Sequence, residues 1–203
     1  MTTESQGKEE RHVARMQRKK EIVDQKVAAA DQERGVLLVN TGNGTGKSSA
    51  AFGVAARALG HGMQVAVVQF VKSRTDTGEE AVLGRRPGVR WHVMGEGFTW
   101  ETQDPGRDAA AARAAWEVAL GYLRDPAIGL VVLDEMTYAF KYQWLPLAEV
   151  LAAFAARPIM QHVIVTGRAA PEDLIAAADT VTEMNLVKHA FKAGIKAMPG
   201  MEF

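Results

Sequence analysis

VLLVNTGNGTGKSSAAFGVAARAL, residues 36–59, decides the fold. An apolar run of strand length, VLLVN, ends in a turn containing Gly42, Gly44 and Gly46. Lys47 then opens an Ala-rich segment that reads as a helix to about residue 59. Strand, Gly-rich loop, Lys, hydroxyl and helix in that order make a phosphate-binding context from Thr41 to Ser48. The glycines let the backbone turn with its N–H groups inward. Those amides and the helix N-terminus present partial positive charge to phosphate oxygens. Lys47 adds a full charge, and the Ser48 hydroxyl is of the kind that ligates Mg²⁺. The usual pattern G-x-x-x-x-G-K-[ST] is met except at its first position. Thr41 stands there, followed by Gly42.

Outward from this unit, apolar runs alternate with helical stretches. Strands are expected at residues 65–71, 89–94, 129–135, 162–167 and 180–184, and helices at 107–123, 146–156 and 171–178. Both of the last two helices open on Pro, which suits a first helical turn. Near-continuous Val/Ile/Leu runs describe strands covered on both faces. The alternation therefore predicts an α/β fold: a doubly wound, mostly parallel sheet, phosphate-loop NTPase-like (RecA-like), with helices on both faces.

VVLDE, residues 131–135, supplies the acidic strand end that commonly partners such a loop. Asp134 and Glu135 point to different faces of an extended strand, so one of them is expected to ligate Mg²⁺ directly. This pairing implies a nucleoside triphosphate. No N-K-x-D stretch of the guanine-specific kind is present, which favours ATP.

Bulk properties exclude other classes. The 203 residues carry 24 Lys and Arg against 24 Asp and Glu, so net charge gives no pull toward nucleic acid or anionic membrane. The absence of Cys excludes disulfides, thiolate metal sites and Cys nucleophiles, and fits a reducing compartment. The five His are scattered and suggest no metal site. The N-terminus mixes charges of both signs, unlike a secretion signal, and no apolar run approaches the roughly 20 residues that span a bilayer. The expected location is the cytoplasm. Residues 1–34 form a polar arm with a helix expected at about 8–30, where Val13, Met16, Val23 and Val27 make a thin stripe. Residues 35–203 form the phosphate-loop domain.

Six ordered blocks narrow the reaction: TGNGTGKSSAAFGVAARALGHG, VAVVQFVKS, GEGFTWETQD, LVVLDEMTYAFKY, VIVTGRAAPEDLIAAADTVTEM and VKHAFKAGIKAMPGMEF. Together they resemble the ATP:corrinoid adenosyltransferases of phosphate-loop type. The resemblance implies transfer of the 5′-deoxyadenosyl group of ATP to Co(I) of a reduced corrinoid, with triphosphate leaving. It implies that Thr41, Gly42, Asn43, Gly44, Thr45, Gly46, Lys47, Ser48 and Ser49 hold ATP. Lys47, Ser48 and Glu135 then serve catalysis, with Mg²⁺ on Ser48 and Glu135 and with Asp134 beside them. Phe98 and Trp100 match corrinoid-contacting aromatics that displace the lower axial ligand of cobalt. Arg168, at the C-terminal end of a strand, suits a phosphate or ribose contact. Trp91, Trp116 and Trp144 read as packing residues.

A homodimer, an electron-donating reductase and a lid function for the N-terminal arm are further implications of the resemblance. The chain departs from the family at Thr45, where Lys is usual, and at Ser48-Ser49, where Thr-Thr is usual. Lys72-Ser73-Arg74 replaces a frequent Lys-Gly, and Arg74 is a candidate to restore the lost charge. Two other readings share the loop: a kinase or ATPase releasing ADP, and a non-catalytic corrinoid or nucleotide binder. Neither accounts for GEGFTWETQD and the C-terminal blocks.

Overall fold

The computed structural model describes residues 3–71, 77–95 and 104–201, with side chains from residue 7. The chain divides into two compact units, Met1–Glu33 and Arg34–Phe203. The first holds one long helix, α1 (Thr3–Ala29). Its Val13, Met16, Val23 and Val27 are all exposed, so the thin stripe seen in the sequence leaves this helix polar nearly all round.

In the second unit, six strands form one parallel sheet: β1 (Leu37–Thr41), β2 (Gln64–Gln69), β3 (Val89–Val93), β4 (Ile128–Asp134), β5 (His162–Thr166) and β6 (Thr180–Glu183). Their order is β3-β2-β4-β5-β1-β6. The chain therefore leaves β1 across two later strands to reach β2, and returns to the other side of β1 only with β6. The reversal opens a crevice at the C-terminal strand ends, where open α/β sheets take ligands.

Strand alternation divides the core. Val65, Val67, Leu130, Val132 and Ile164 pack against Ala51, Phe52, Ala55 and Ala58 of α2 (Lys47–Gly60). Ala66, Val68, Val131, Leu133, Val163 and Val165 face the opposite way. They meet α3 (Pro105–Leu123) through Trp116, α5 (Leu147–Ala156) through Val150 and Phe154, and α6 (Glu172–Ala177) through Leu174. The doubly wound sheet read from the sequence is thus present, with strand ends within two residues of expectation. Trp116 is fully buried and donates its indole N–H to Glu149 at 2.7 Å.

Several details depart from the sequence reading. α3 starts at Pro105, because the Asp104 carboxylate accepts the Arg107 N–H and caps the helix. Pro146 and Pro171 sit in the extended position just before their helices rather than inside the first turn. Strand β6, at one edge of the sheet, is exposed at all four positions. A short helix α4 (Thr137–Lys141), a π-helical turn (Glu80–Gly84) and a 3₁₀ turn (Ala190–Ala193) were not foreseen. Each is too short to show a hydrophobic period.

Candidate active site

The turn after β1 takes its shape from two left-handed glycines, Gly42 with φ 95° and Gly46 with φ 101°. Gly44 meets a different demand. A Cβ there would lie 2.7 Å from the carbonyl oxygen of Met184, and that carbonyl accepts the Gly44 N–H at 2.6 Å. The Met184 N–H in turn donates to the Thr41 carbonyl at 2.8 Å. The exit of β6 therefore braces the loop along its length. Asn40 adds a bond from its side-chain amide to the Lys47 carbonyl at 3.2 Å.

Among the described residues no side chain caps the N-terminus of α2, where the first helical amides are the groups that suit an anionic ligand. Gly44 to Ser49 line a cavity of about 520 Å³ together with Glu135, Tyr138 and Arg168. Gly78, Glu79, Gly200 and Met201 complete the wall. The volume suits a small-molecule substrate.

Lys47 is buried, and its ammonium donates to the Gly44 carbonyl at 2.5 Å. Burial lowers its pKa, the nearby charge of Arg168 acts in the same direction, and the carboxylates of Glu135 and Asp134 oppose the shift. A polyanion entering the cavity would add to that opposition and favour the charged form. Tyr138 is shifted upward, first by burial and then by Glu135, which keeps its phenol protonated at the cavity wall.

The two acidic residues part ways here. Glu135 takes a left-handed backbone, φ 59°, and lines the cavity. Asp134 is fully buried and is not among the cavity-lining residues. Its Oδ1 accepts from the Thr166 hydroxyl at 2.8 Å and its Oδ2 from the Gln69 amide at 2.9 Å. The two carboxylates therefore face different ways, as expected, and only Glu135 of the two lines the cavity.

Arg168 is exposed and reaches the cavity from the turn after β5. Its carbonyl accepts the Thr137 hydroxyl at 2.7 Å. Gly167, with φ 139°, is required at that turn, since a Cβ would lie 2.1 Å from Thr137 Oγ1. Thr41 and Gly42 shape the loop from beneath, and Asn43 is exposed beside it; none of the three lines the cavity. Phe98, Trp100 and the Lys72-Ser73-Arg74 stretch lie outside the described residues. Sequence reasoning missed Tyr138, Gly78, Glu79, Gly200 and Met201. Tyr138 follows Glu135 by one helical turn, a spacing that could have found it. The others arrive from distant segments with no local signal.

A Gly-rich loop opening a helix, a buried Lys, and an acidic residue facing them across the C-terminal ends of a parallel sheet define a phosphate-loop nucleotide-binding protein. Comparison with known proteins narrows the class. The family described as "ATP:corrinoid adenosyltransferase BtuR/CobO/CobP" matches residues 33–203, and one described as "Cob(I)alamin adenosyltransferase N terminal" matches residues 1–27. The chain is 64% identical over 201 residues to the corrinoid adenosyltransferase of Pseudomonas aeruginosa, covering 98% of this chain and 99% of that protein. It is 50% identical over 195 residues to corrinoid adenosyltransferase CobA of Salmonella typhimurium, covering 96% and 99%. The corrinoid adenosyltransferase of Escherichia coli is 49% identical over the same length, with the same coverage. The chain belongs to the ATP:corrinoid adenosyltransferase family.

Proposed function

We propose that this chain transfers the 5′-deoxyadenosyl group of ATP to the Co(I) centre of a reduced corrinoid, releasing triphosphate, in the making or salvage of adenosylcobalamin. The observation that carries the reading is one cavity, in a chain of this family, lined by the Gly44–Ser49 loop, Glu135, Tyr138 and Arg168. The cobalt–carbon bond forms as the C5′–oxygen bond breaks, and both electrons of the broken bond leave with triphosphate. Cobalt supplies the attacking electron pair, so the protein needs no nucleophile of its own. Its work is to hold ATP, stabilise charge growing on the leaving group, and orient C5′. Lys47 and the α2 amides serve the phosphates, and Arg168 is placed to add a second cation.

The residues fit Mg²⁺. The Ser48 hydroxyl and the Glu135 carboxylate are hard oxygen donors that line the same cavity. Among the described residues no three His, Asp or Glu gather as a metal site, so the remaining ligands would be phosphate oxygens and water. Mg²⁺ bound there would neutralise charge on the departing triphosphate.

Phe98 and Trp100 are assigned to the corrinoid, on their block match. The α1 unit is proposed as a cover over the corrinoid site of the other subunit in a homodimer, keeping water from Co(I). A homodimer, a reductase that supplies Co(I), and a cytoplasmic location complete the proposal. Among the described residues no helix is long and apolar enough to cross a membrane.

The test is a product assay without air, with Mg-ATP and chemically reduced cobalamin. Light-sensitive adenosylcobalamin and triphosphate in equal amounts are expected. ADP without a cobalt–carbon bond would indicate a kinase or ATPase, and no product at all a binding protein.

A further inference from the structure

The buried side of the acidic strand end holds a chain of side-chain hydrogen bonds that runs across the sheet from β3 to β5. It begins on β3, where the Trp91 indole N–H donates to Gln69 Oε1 at 3.1 Å. Gln69 Nε2 donates to Asp134 Oδ2 at 2.9 Å. On the other side, the Thr166 hydroxyl donates to Asp134 Oδ1 at 2.8 Å and accepts the backbone N–H of Glu135 at 2.9 Å. Gln69, Asp134 and Thr166 are all fully buried. They lie at the ends of β2, β4 and β5, three adjacent strands of the sheet. Trp91 also packs its ring 5.0 Å from that of Phe52 on α2, the helix that begins at Lys47.

The chain ends at a strained residue. Glu135 has φ 59°, a conformation an L side chain adopts only where its surroundings impose it. The Thr166 hydroxyl contributes to that constraint, because it accepts the Glu135 N–H from the adjacent strand β5. The Thr166 hydroxyl has a single proton, which it gives to Asp134, leaving its oxygen lone pairs for the Glu135 N–H. Asp134, which accepts from Thr166 on one oxygen and from Gln69 on the other, thereby sets the direction of the whole chain.

We infer that Gln69, Asp134 and Thr166 are positioning residues, a buried relay that aims the Glu135 carboxylate into the cavity and so sets how strongly the site holds a divalent cation on ATP. The inference rests on the reading that Glu135 ligates Mg²⁺, and it gives Asp134 a role through Thr166 rather than on the metal. Outer groups that orient a ligand typically change metal affinity about 10- to 100-fold when removed.

The experiment measures ATP binding to the full chain by calorimetry, once in EDTA and once with Mn²⁺ as the metal probe. The ratio of the two affinities is the metal's contribution. Thr166→Val keeps the shape and removes the hydroxyl; it is expected to cut that ratio about 10-fold while metal-free ATP binding stays within about twofold. Thr166→Ser keeps the hydroxyl and is expected to retain the ratio. Gln69→Leu, at a position that does not line the cavity, is expected to lower it in the same direction and serves if Thr166→Val does not fold. Glu135→Gln tests the premise and is expected to abolish the metal's contribution. An unchanged ratio in Thr166→Val and Gln69→Leu, with Glu135→Gln impaired, overturns the relay and leaves the metal reading standing. A Thr166→Ser protein as impaired as Thr166→Val overturns it too, since packing rather than the hydroxyl would then be at work. An unchanged ratio in Glu135→Gln removes the premise itself.

Discussion

The Met184 carbonyl accepts the Gly44 N–H at 2.6 Å, so the residue just after the last strand holds the middle of the phosphate loop. A Cβ at Gly44 would stand 2.7 Å from that same oxygen, and its nearest neighbours are all backbone atoms of Met184 and Asn185, with no flexible side-chain end to yield. Gly44→Ala is expected to destabilise the protein by about 1–3 kcal/mol and to weaken ATP binding about 10-fold. Gly53 is the control. It lies in α2 with nothing within 4 Å of an added Cβ, so Gly53→Ala should leave binding unchanged and stabilise by up to about 1 kcal/mol. Calorimetric titration and urea unfolding of both variants check this, and equal effects at the two positions would refute it.

The turn that carries Arg168 depends on Gly167. An added Cβ would collide with Thr137 Oγ1 and disrupt its bond to the Arg168 carbonyl. Gly167→Ala is expected to cost about 2–4 kcal/mol and to lower ATP affinity by displacing Arg168. Thr137→Val removes only the hydrogen bond and should cost about 1 kcal/mol. Unfolding curves rank the two, and a larger loss in Thr137→Val would contradict the steric account.

Thr45 is exposed and lines the cavity at the position where the family usually carries Lys. Thr45→Lys adds a charge near the phosphates. At about 4 Å in water a unit pair is worth about 1 kcal/mol, which corresponds to roughly fivefold tighter ATP binding. The gain should shrink as salt rises from 50 mM toward 500 mM, because the new charge is solvated. Affinity measured across that range tests it; a salt-independent gain would point to packing instead.

Asp179 fastens the starts of β1 and β6. It pairs with Arg34 at 2.5 Å and accepts the Leu37 N–H at 2.8 Å. The Arg34 hydrogen bond, followed by the Leu37 amide, lowers its carboxyl from 3.8 to about 2. A depressed folded-state pKa gives stability that is complete above the unfolded value and fades as pH falls through the folded one. The gap between wild type and Asp179→Asn should therefore be full at pH 5–7, narrow below about pH 4 and be largely gone near pH 2. Unfolding free energies at several pH values measure it, and a gap that stays constant down to pH 2 would exclude the ion pair as its source.

Much of the site was legible because its signals are local. The loop from Thr41 to Ser48 announces itself by glycine, Lys and hydroxyl at fixed spacing between a strand and a helix. The apolar runs 65–71, 129–135 and 162–167 gave sheet strands because length and Val/Ile/Leu content suffice there. Arg168, singled out by its place at a strand end, lines the cavity. Asp134 and Glu135, in contrast, are neighbours whose pattern names two candidates for a metal and cannot choose between them.

The sequence by itself determined the parallel α/β sheet, the phosphate loop and the family, since all three rest on order and spacing along the chain. Only the tertiary structure decided which carboxylate faces the cavity, because that depends on partners far away in the chain. Gln69 lies 65 residues from Asp134 and meets it only when β2 and β4 pair, whereas Thr166 arrives with β5. The Met184 brace and the closure of the cavity by Gly200 and Met201 have the same origin. Hydrogen bonds across strands are set by register, and register is a property of the folded sheet rather than of any one stretch of sequence.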